Sequence, residues 1–281
     1  MAKYVKKCKK KKIPLLLLNA RITKKSFNRW ILFPNTSKIL FNSFDVCFSQ
    51  NHETKRYLEN LGVKKVKLLG NLKFAESKYK EKYSFVNKYK RMFKFRKIWC
   101  AASTHDTEER VCALAHKKLK DKYKNLLTII IPRHIQRTKN IINEIQNLNL
   151  NVQSRSNSNK IKKNTDIFIV DSYGEAKSFY KLSNIVFLGG SLINHGGQNP
   201  LEPARFGCRV FHGPHVQNFN EVYKLLENNN IAFKFTNINQ LINLINKTLK
   251  SKKNINNKVI KIKKIGSKIL NKTLNEINNY L

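Results

Sequence analysis

No apolar run in this 281-residue chain reaches the ~18 residues that a membrane-crossing helix needs. The nearest approach is at the start, where a basic stretch from Lys3 to Lys12 leads into IPLLLLNA (13–20). That order imitates the first two regions of a secretory signal peptide. Its apolar part is only about eight residues long and Arg21 closes it, so it reads as a buried strand. Cysteine is also scarce. The five thiols, at 8, 47, 100, 112 and 208, are odd in number and form no CxxC pair. Cys47 and Cys100 lie in strand-like apolar runs and read as small buried hydrophobes, with a reducing cytoplasm as the natural setting. Acidic residues are few: 17 Asp and Glu stand against 56 Lys and Arg, for a formal net charge of +39. Such a surface attracts nucleic acid, anionic lipid or phosphorylated substrates. Lys, Asn and Ile are abundant throughout, so mutational bias accounts for the excess equally well. No zinc-finger, KH or RNP signature points to a nucleic-acid module, and no internal repeat is visible.

What is present is alternation. Strand candidates fall at 14–18, 45–49, 66–69, 98–102, 126–131, 167–170, 185–188, 208–212 and 231–235. Amphipathic helices lie between several of them. Residues 107–120 gather Val111, Leu114, Ala115 and Leu119 on one face, and 218–227 gather Phe219, Val222, Leu225 and Leu226. Repeated strand–helix units predict an α/β protein with parallel sheets covered on both faces. Residues 77–96, basic and aromatic without a clear period, read as a linker between two α/β units, 1–76 and 97–281; the Lys/Asn/Ile-rich 238–281 reads as helical. The first unit holds about three strands, too few for a complete doubly wound domain, and looks like the back half of one.

Chemistry concentrates where strands end. PRHIQR (132–137) follows LLTIII, so Pro132 stops the strand and Arg133 projects from its carboxyl end, where open α/β sheets bind ligands. Arginine there suits a phosphate, and a surface arginine in a basic protein is the plain alternative. STHDTEE (103–109) follows strand 98–102; Ser103 or Thr104 can cap the next helix, with Asp106, Glu108 and Glu109 in its first turn. His105 is a ligand contact or a half-exposed structural histidine. DSYGEA (171–176) sets Gly174 and Glu175 at another strand end, the glutamate serving either the helix dipole or a sugar or base. GPHVQNF (213–219) lies near His212 and His215, which lack a third and fourth metal ligand.

The longest of these stretches is GGSLINHGGQNPLEPARFG (189–207) after the strand Ile185–Leu188. Gly189 and Gly190 allow backbone angles closed to other residues. Asn199 fits an N-cap and Pro200 the first helical position, leaving N–H groups to receive an anion. A glycine-rich turn that binds nothing is the other reading. Parallel strands bring the ends at 103, 132, 171, 189 and 213 to one rim, and a single anionic-ligand site there is the economical interpretation.

In order and spacing, these motifs resemble the 3-deoxy-D-manno-octulosonic acid (Kdo) transferases of lipopolysaccharide core synthesis. The resemblance is carried by LNARITKKSF (18–27), SQ (49–50), LGNLKF (69–74), STHDTEE, PRHIQR, DSYGE, GGSLINHGGQNPLEPA (189–204) and GPHVQNF, from about residue 13 to about 230. It implies two Rossmann-like domains in the GT-B arrangement, the N-terminal one incomplete, with 1–76 on the acceptor side, 77–96 linking, and 97–281 binding the nucleotide sugar. It implies transfer of Kdo from CMP-Kdo to the lipid A precursor, lipid IVA, at the cytoplasmic face of the inner membrane. The chain would there be peripheral on an anionic surface, with no metal, other cofactor or nucleic-acid partner. Carried over position by position, the CMP contacts are Pro132 and Arg133, then Tyr173, Gly174 and Glu175, then Asn199, Pro200, Leu201 and Glu202.

Departures from the family pattern shape the expectation. The family's general-base glutamate, in Ser-x-Gly-Glu, and a later stretch with Glu and Trp-Pro-Asn do not precede Leu18 here, nor does its hydrophobic anchor. SYGE at 172–175 is the nucleotide-binding stretch by its place in the order. Gln198 stands where His is more usual, and Ala176 where Leu is expected. The chain is therefore expected to bind donor and stabilise the leaving group without a catalytic base of its own, as a truncated or split form that a separate N-terminal half would complete. The competing readings are a non-catalytic nucleotide-binding remnant, a basic membrane- or nucleic-acid-surface protein, and another GT-B enzyme using UDP.

Overall fold

Apolar runs become strands here wherever helices cover both of their faces. The computed structural model describes residues 7–8, 10–75, 89–157, 160–251 and 256–280. The chain forms two compact units, Met1–Lys78 with Lys261–Leu281, and Tyr79–Ile260.

In the first unit, β1 (Leu16–Ala20), β2 (Val46–Ser49) and β3 (Val66–Leu68) form a parallel sheet in that order. Three short helices link them: α1 (Lys24–Ile31), α2 (Pro34–Phe41) and α3 (His52–Asn60). Their starts are written locally. Thr23 Oγ1 accepts the Ser26 N–H at 3.3 Å, Pro34 opens α2, and Asn51 Oδ1 accepts the Thr54 N–H at 2.7 Å. Phe41, Cys47, Leu58, Leu61 and Val63 close the core beneath them. Burial pushes the Cys47 thiol up to about 12, which leaves it an inert hydrophobe.

The second unit is a seven-stranded, all-parallel sheet. Its strands are β4 (Lys97–Thr104), β5 (Leu126–Pro132), β6 (Val152–Ser154), β7 (Ile167–Ile169), β8 (Ile185–Leu188), β9 (Arg209–His212) and β10 (Ala232–Lys234). Their order is β10-β9-β8-β4-β5-β7-β6. From β4 the chain passes to β5, skips to the edge strand β6, comes back to β7 between β5 and β6, and then crosses to β8 on the other side of β4. The winding therefore reverses between β4 and β8, and a doubly wound sheet opens its ligand crevice at the carboxyl ends of such a pair. β5 and β8 are buried along their whole length, as parallel central strands must be. Removing a side chain such as Phe187 or Ile130 from water is worth ~1.5–3 kcal/mol each.

The covering helices are α4 (Glu108–Lys120), α5 (Thr138–Gln146), α6 (Ala176–Leu182), α7 (Leu201–Arg205), α8 (Asn220–Asn228) and α9 (Ile238–Lys250). The last helix, α10 (Asn256–Asn278), contributes from Lys261 onward to the first unit. There Ile262 is buried, Gly266 lies against the Phe74 carbonyl, Ile269 meets Gly70, and Glu276 pairs with Lys67.

All nine expected strands are present; β1 starts two residues later than expected, and edge strand β6 is additional. The division of the chain differs from the expected 1–76, 77–96 and 97–281. Residues from Lys261 group with the first unit. Of the expected linker, 77–88 lie outside the described residues, while Tyr89 and Phe93 are core residues of the second unit, stacked on each other and packed on Phe168. Their aromatic period is too short to read as a helix from sequence, but burial accounts for it.

Candidate anion-binding site at the carboxyl edge of the larger sheet

Because all seven strands are parallel, the ends of β4, β5, β7, β8 and β9 share one edge. Arg133 leaves β5 there, exposed, with its N–H bonded to the Thr104 carbonyl at 2.9 Å. Among the described residues its guanidinium has no hydrogen-bond or ion-pair partner. Pro132 before it is buried and ends the strand register opposite Thr104. Arg137, four residues on, has a different task. It forks onto the buried Glu109 carboxylate at 3.0 and 3.3 Å and reaches Asp106 at 2.6 Å, fixing this loop to the start of α4. Burial raises the Glu109 pKa, with the Arg137 pair acting against that rise.

On the β7 side, Tyr173 is 69 % exposed and Gly174 takes φ +83° with open space around it. Glu175 is held from beneath: Arg155 Nε lies 3.3 Å from its Oε2, and the buried Tyr89 hydroxyl donates to the same oxygen at 3.3 Å. Burial, then the Glu175 charge, raises the Tyr89 pKa, so this hydroxyl stays a donor.

The third expected stretch departs from its sequence reading. α7 is one short turn starting at Leu201, one residue later than expected, and Asn199 Oδ1 takes the Leu201 N–H at 3.1 Å. Leu201 is fully buried and Pro200 buried, so both serve packing, while Glu202 pairs with Lys177 at 3.3 Å. The N–H groups earlier in the glycine-rich run, at Gly190 to Leu192, are already occupied from within. The buried Glu108 carboxylate accepts from Gly190 at 2.7 Å, Ser191 at 3.1 Å, Leu192 at 2.9 Å and His105 at 2.9 Å. The protein thus carries its own anion in that nest. Gly189 is required by this packing: a Cβ there would stand 2.5 Å from Thr104 Cα and 2.6 Å from Glu108 Oε2. Neither Ser103 nor Thr104 caps α4. The helix begins after Thr107 at φ +72°, and Glu108 turns back to serve the His105 N–H.

Three histidines that sequence reasoning did not bring together meet beside Arg133. His105 and His195 lie 4.4 Å apart between ring centroids and tilted by 40°; His105 and His134 lie 5.7 Å apart, edge to face. Desolvation first, then His195, His134, Arg133 and Arg137, pulls the His105 pKa down to about 4. His212, considered earlier as a metal ligand, instead faces Glu227 at 2.9 Å with its ring on Tyr223.

The family described as 3-deoxy-D-manno-octulosonic-acid transferase (kdotransferase) matches residues 2–76. The 3-deoxy-D-manno-octulosonic acid transferase of Haemophilus influenzae is 32% identical over 217 residues, 76% of this chain and 51% of that protein. The enzyme of the same description from Rickettsia prowazekii is 31% identical over 273 residues, 95% of this chain and 59% of its own length. The chain thus spans between half and three fifths of these curated relatives. The crystal structure of the C-terminal CMP-Kdo binding domain of WaaA from Acinetobacter baumannii is matched over 98% of its length and 67% of this chain, at 26% identity and a TM-score of 0.58. Anabaena HepE, solved with UDP-glucose, shares the fold at 13% identity and a TM-score of 0.53, over 95% of this chain and 72% of that one.

Proposed function

This chain belongs to the 3-deoxy-D-manno-octulosonic acid (Kdo) transferase family, and on that premise we propose that its larger unit binds CMP-Kdo at the β4/β8 crevice for transfer of Kdo to a lipid A precursor. The observation that carries the reading is Arg133: an exposed guanidinium without a partner among the described residues, at the carboxyl end of the strand beside the winding reversal. Its forked donors suit the phosphate of CMP. As the bond to the sugar breaks, negative charge grows on that phosphate, and a fixed cation there stabilises it more in the transition state than in the ground state. Tyr173 to Glu175 and Asn199 to Glu202 border the same edge and are assigned to the nucleotide, with Pro132, Pro200 and Leu201 shaping the backbone beneath it. Glu175 is suited to accept hydrogen bonds from a sugar or base, since Arg155 and Tyr89 already orient it. No residue of the chain is assigned as the general base.

Calorimetric titration tests the assignment. CMP is expected to bind at least about tenfold more tightly than UDP, a difference of ~1.4 kcal/mol. Equal affinities would favour a UDP-using relative, and absence of CMP binding would overturn the reading. A transfer assay with CMP-Kdo and lipid IVA then separates a transferase from a nucleotide-binding remnant.

Peripheral attachment to the cytoplasmic face of the inner membrane is favoured by a second observation. Leu32 and Phe33, in the turn between α1 and α2, and Ile39 on α2 are 73, 63 and 74 % exposed, with Lys24, Lys25, Arg29 and Lys38 exposed on the same two helices. Apolar side chains among cations suit an anionic bilayer surface. No helix among the described residues is long and apolar enough to cross a membrane. Co-sedimentation with vesicles containing anionic lipid, lost on Leu32→Ser with Phe33→Ser, is the check.

A further inference from the structure

The histidine cluster has an unfilled requirement. His105 is 8 % exposed, and its Nε2 is buried without a hydrogen-bond partner among the described residues. That atom is aimed at the turn after β8: a Cβ built on Gly190 would lie 3.3 Å from His105 Nε2 and 3.1 Å from His195 Cδ2. The ring thus closes the floor of the crevice between β4 and β8. A buried polar nitrogen left unpaired costs ~1–3 kcal/mol, which a ligand can recover. The surrounding turn is held in place: Gly197 donates to the Gly190 carbonyl at 2.8 Å, Asn218 donates to Gly196 O at 3.0 Å, and Asn218 Nδ2 donates to His195 O at 3.2 Å.

The charge around the cluster has one sign. The acids nearby are committed, Glu108 to four backbone N–H groups and Glu109 and Asp106 to Arg137. What remains facing the rings is Arg133, His134 and His195. A divalent cation would be repelled, and its ligands would have to converge at about 2.0–2.1 Å, whereas His105 and His195 lie ring over ring. Among the described residues no group of three metal-binding side chains converges. The complement of this cluster is an anion.

Resting on the donor assignment above, we propose that His105, His134 and His195 form the subsite for the carboxylate of the activated sugar acid, beside the phosphate held by Arg133. In a nucleotide-linked ulosonic acid, the anomeric carbon bears both the phosphate oxygen and the carboxylate. The two anionic groups are therefore close neighbours, and a site for one needs a second set of donors within a few ångströms. His134 follows Arg133 directly in the chain, and His105 packs edge-on against it. A neutral His105 can offer an Nε2–H to the carboxylate at physiological pH without a change of protonation, and the exposed His134 and His195 close on it from either side. Nucleotide alone leaves this subsite empty. The subsite therefore selects for the sugar acid.

The experiment titrates wild type, His105→Gln and the double variant His134→Ala/His195→Ala with CMP and with CMP-Kdo, each in metal-free buffer and with Zn2+ added. The expected result is a loss of about tenfold or more in CMP-Kdo affinity with CMP affinity held within about twofold, since one charge-assisted hydrogen bond is worth roughly that. Parallel imidazole NMR should show the His105 Nε2 resonance moving with CMP-Kdo and staying with CMP. An unchanged ratio of the two affinities, equal loss of both, or dependence on Zn2+ would overturn the subsite while leaving the nucleotide assignment intact. Failure of wild type to bind CMP would instead remove the donor assignment itself. The exposed pair His134 and His195 keeps the test valid if His105→Gln fails to fold.

Discussion

Glu108 Oε2 accepts the N–H of Gly190 at 2.7 Å, joining residues 82 positions apart. The same carboxylate takes the N–H groups of Ser191, Leu192 and His105, so one buried side chain sets both loops that face the crevice. The glycine-rich turn owes its shape to an internal anion, and its ligand-facing part is what remains beyond Leu192.

Replacing that acid should be costly. Glu108→Gln turns an acceptor serving two N–H groups into a donor, and Glu108→Ala strands all four. Each buried unsatisfied donor costs ~1–3 kcal/mol, so the unfolding free energy in urea should fall by about 2–4 kcal/mol for Gln and more for Ala. A denaturation midpoint that does not move would refute the account.

Two glycines separate space from backbone conformation. Gly189→Ala meets Thr104 and the Glu108 carboxylate, and should lower stability by several kcal/mol or prevent folding. Gly174→Ala meets open space at φ +83°, so only the left-handed backbone penalty of ~1–2 kcal/mol applies. Thermal melts of the two variants should rank in that order.

Arg133 and Arg137 should part in the same way between binding and stability. Arg133→Ala is expected to leave the melting temperature nearly unchanged, as for other exposed substitutions within ~0.5 kcal/mol, and to weaken CMP by about tenfold or more. Arg137→Ala leaves the buried Glu109 unpaired and should destabilise by ~3–5 kcal/mol. If both variants lost CMP affinity without loss of stability, the division of labour would be wrong.

Acid should unfold the protein partly through His105. Its pKa falls from 6.5 unfolded to about 4 folded, so below pH 6.5 the unfolded chain binds the extra proton. Stability is then fully present above about pH 6.5 and is lost as pH falls through the window towards 4. Burial lowers His116 and His212 in the same direction, so these two add to the slope. His105→Gln should flatten the slope of unfolding free energy against pH in that window, and an identical slope would exclude His105 as a contributor.

The larger sheet was legible because β5, β7 and β8 are short, wholly buried runs, such as LLTIII and IVFL. The edge strand VQS carries no such run and is set only by pairing with β7. Helices α1 to α3 hide for a related reason, being only 8, 8 and 9 residues long, with few apolar positions to show a period. At the site, Arg133 was readable from its place after a strand, since chain order alone puts it on the rim. Glu108 and the histidine cluster were not, because their partners are brought close only by strand pairing. The sole local sign was an acid in a first turn, which the helix dipole already explained. Likewise the periodicity of α10 marks it as a helix without naming the unit it joins.

The first unit is built from the beginning of the chain and from Lys261 onward, with 182 residues of the second unit between Lys78 and Lys261. A ribosome adding roughly 5–20 residues per second needs about ten to forty seconds to cross that interval. During that time β1 to β3 have emerged without the helix that covers Phe74 and Gly70. The second unit, continuous in the chain, can close first and on its own. Synthesis order thus makes the amino-terminal segment the last to be finished, and the stage at which a nascent chain most needs a chaperone.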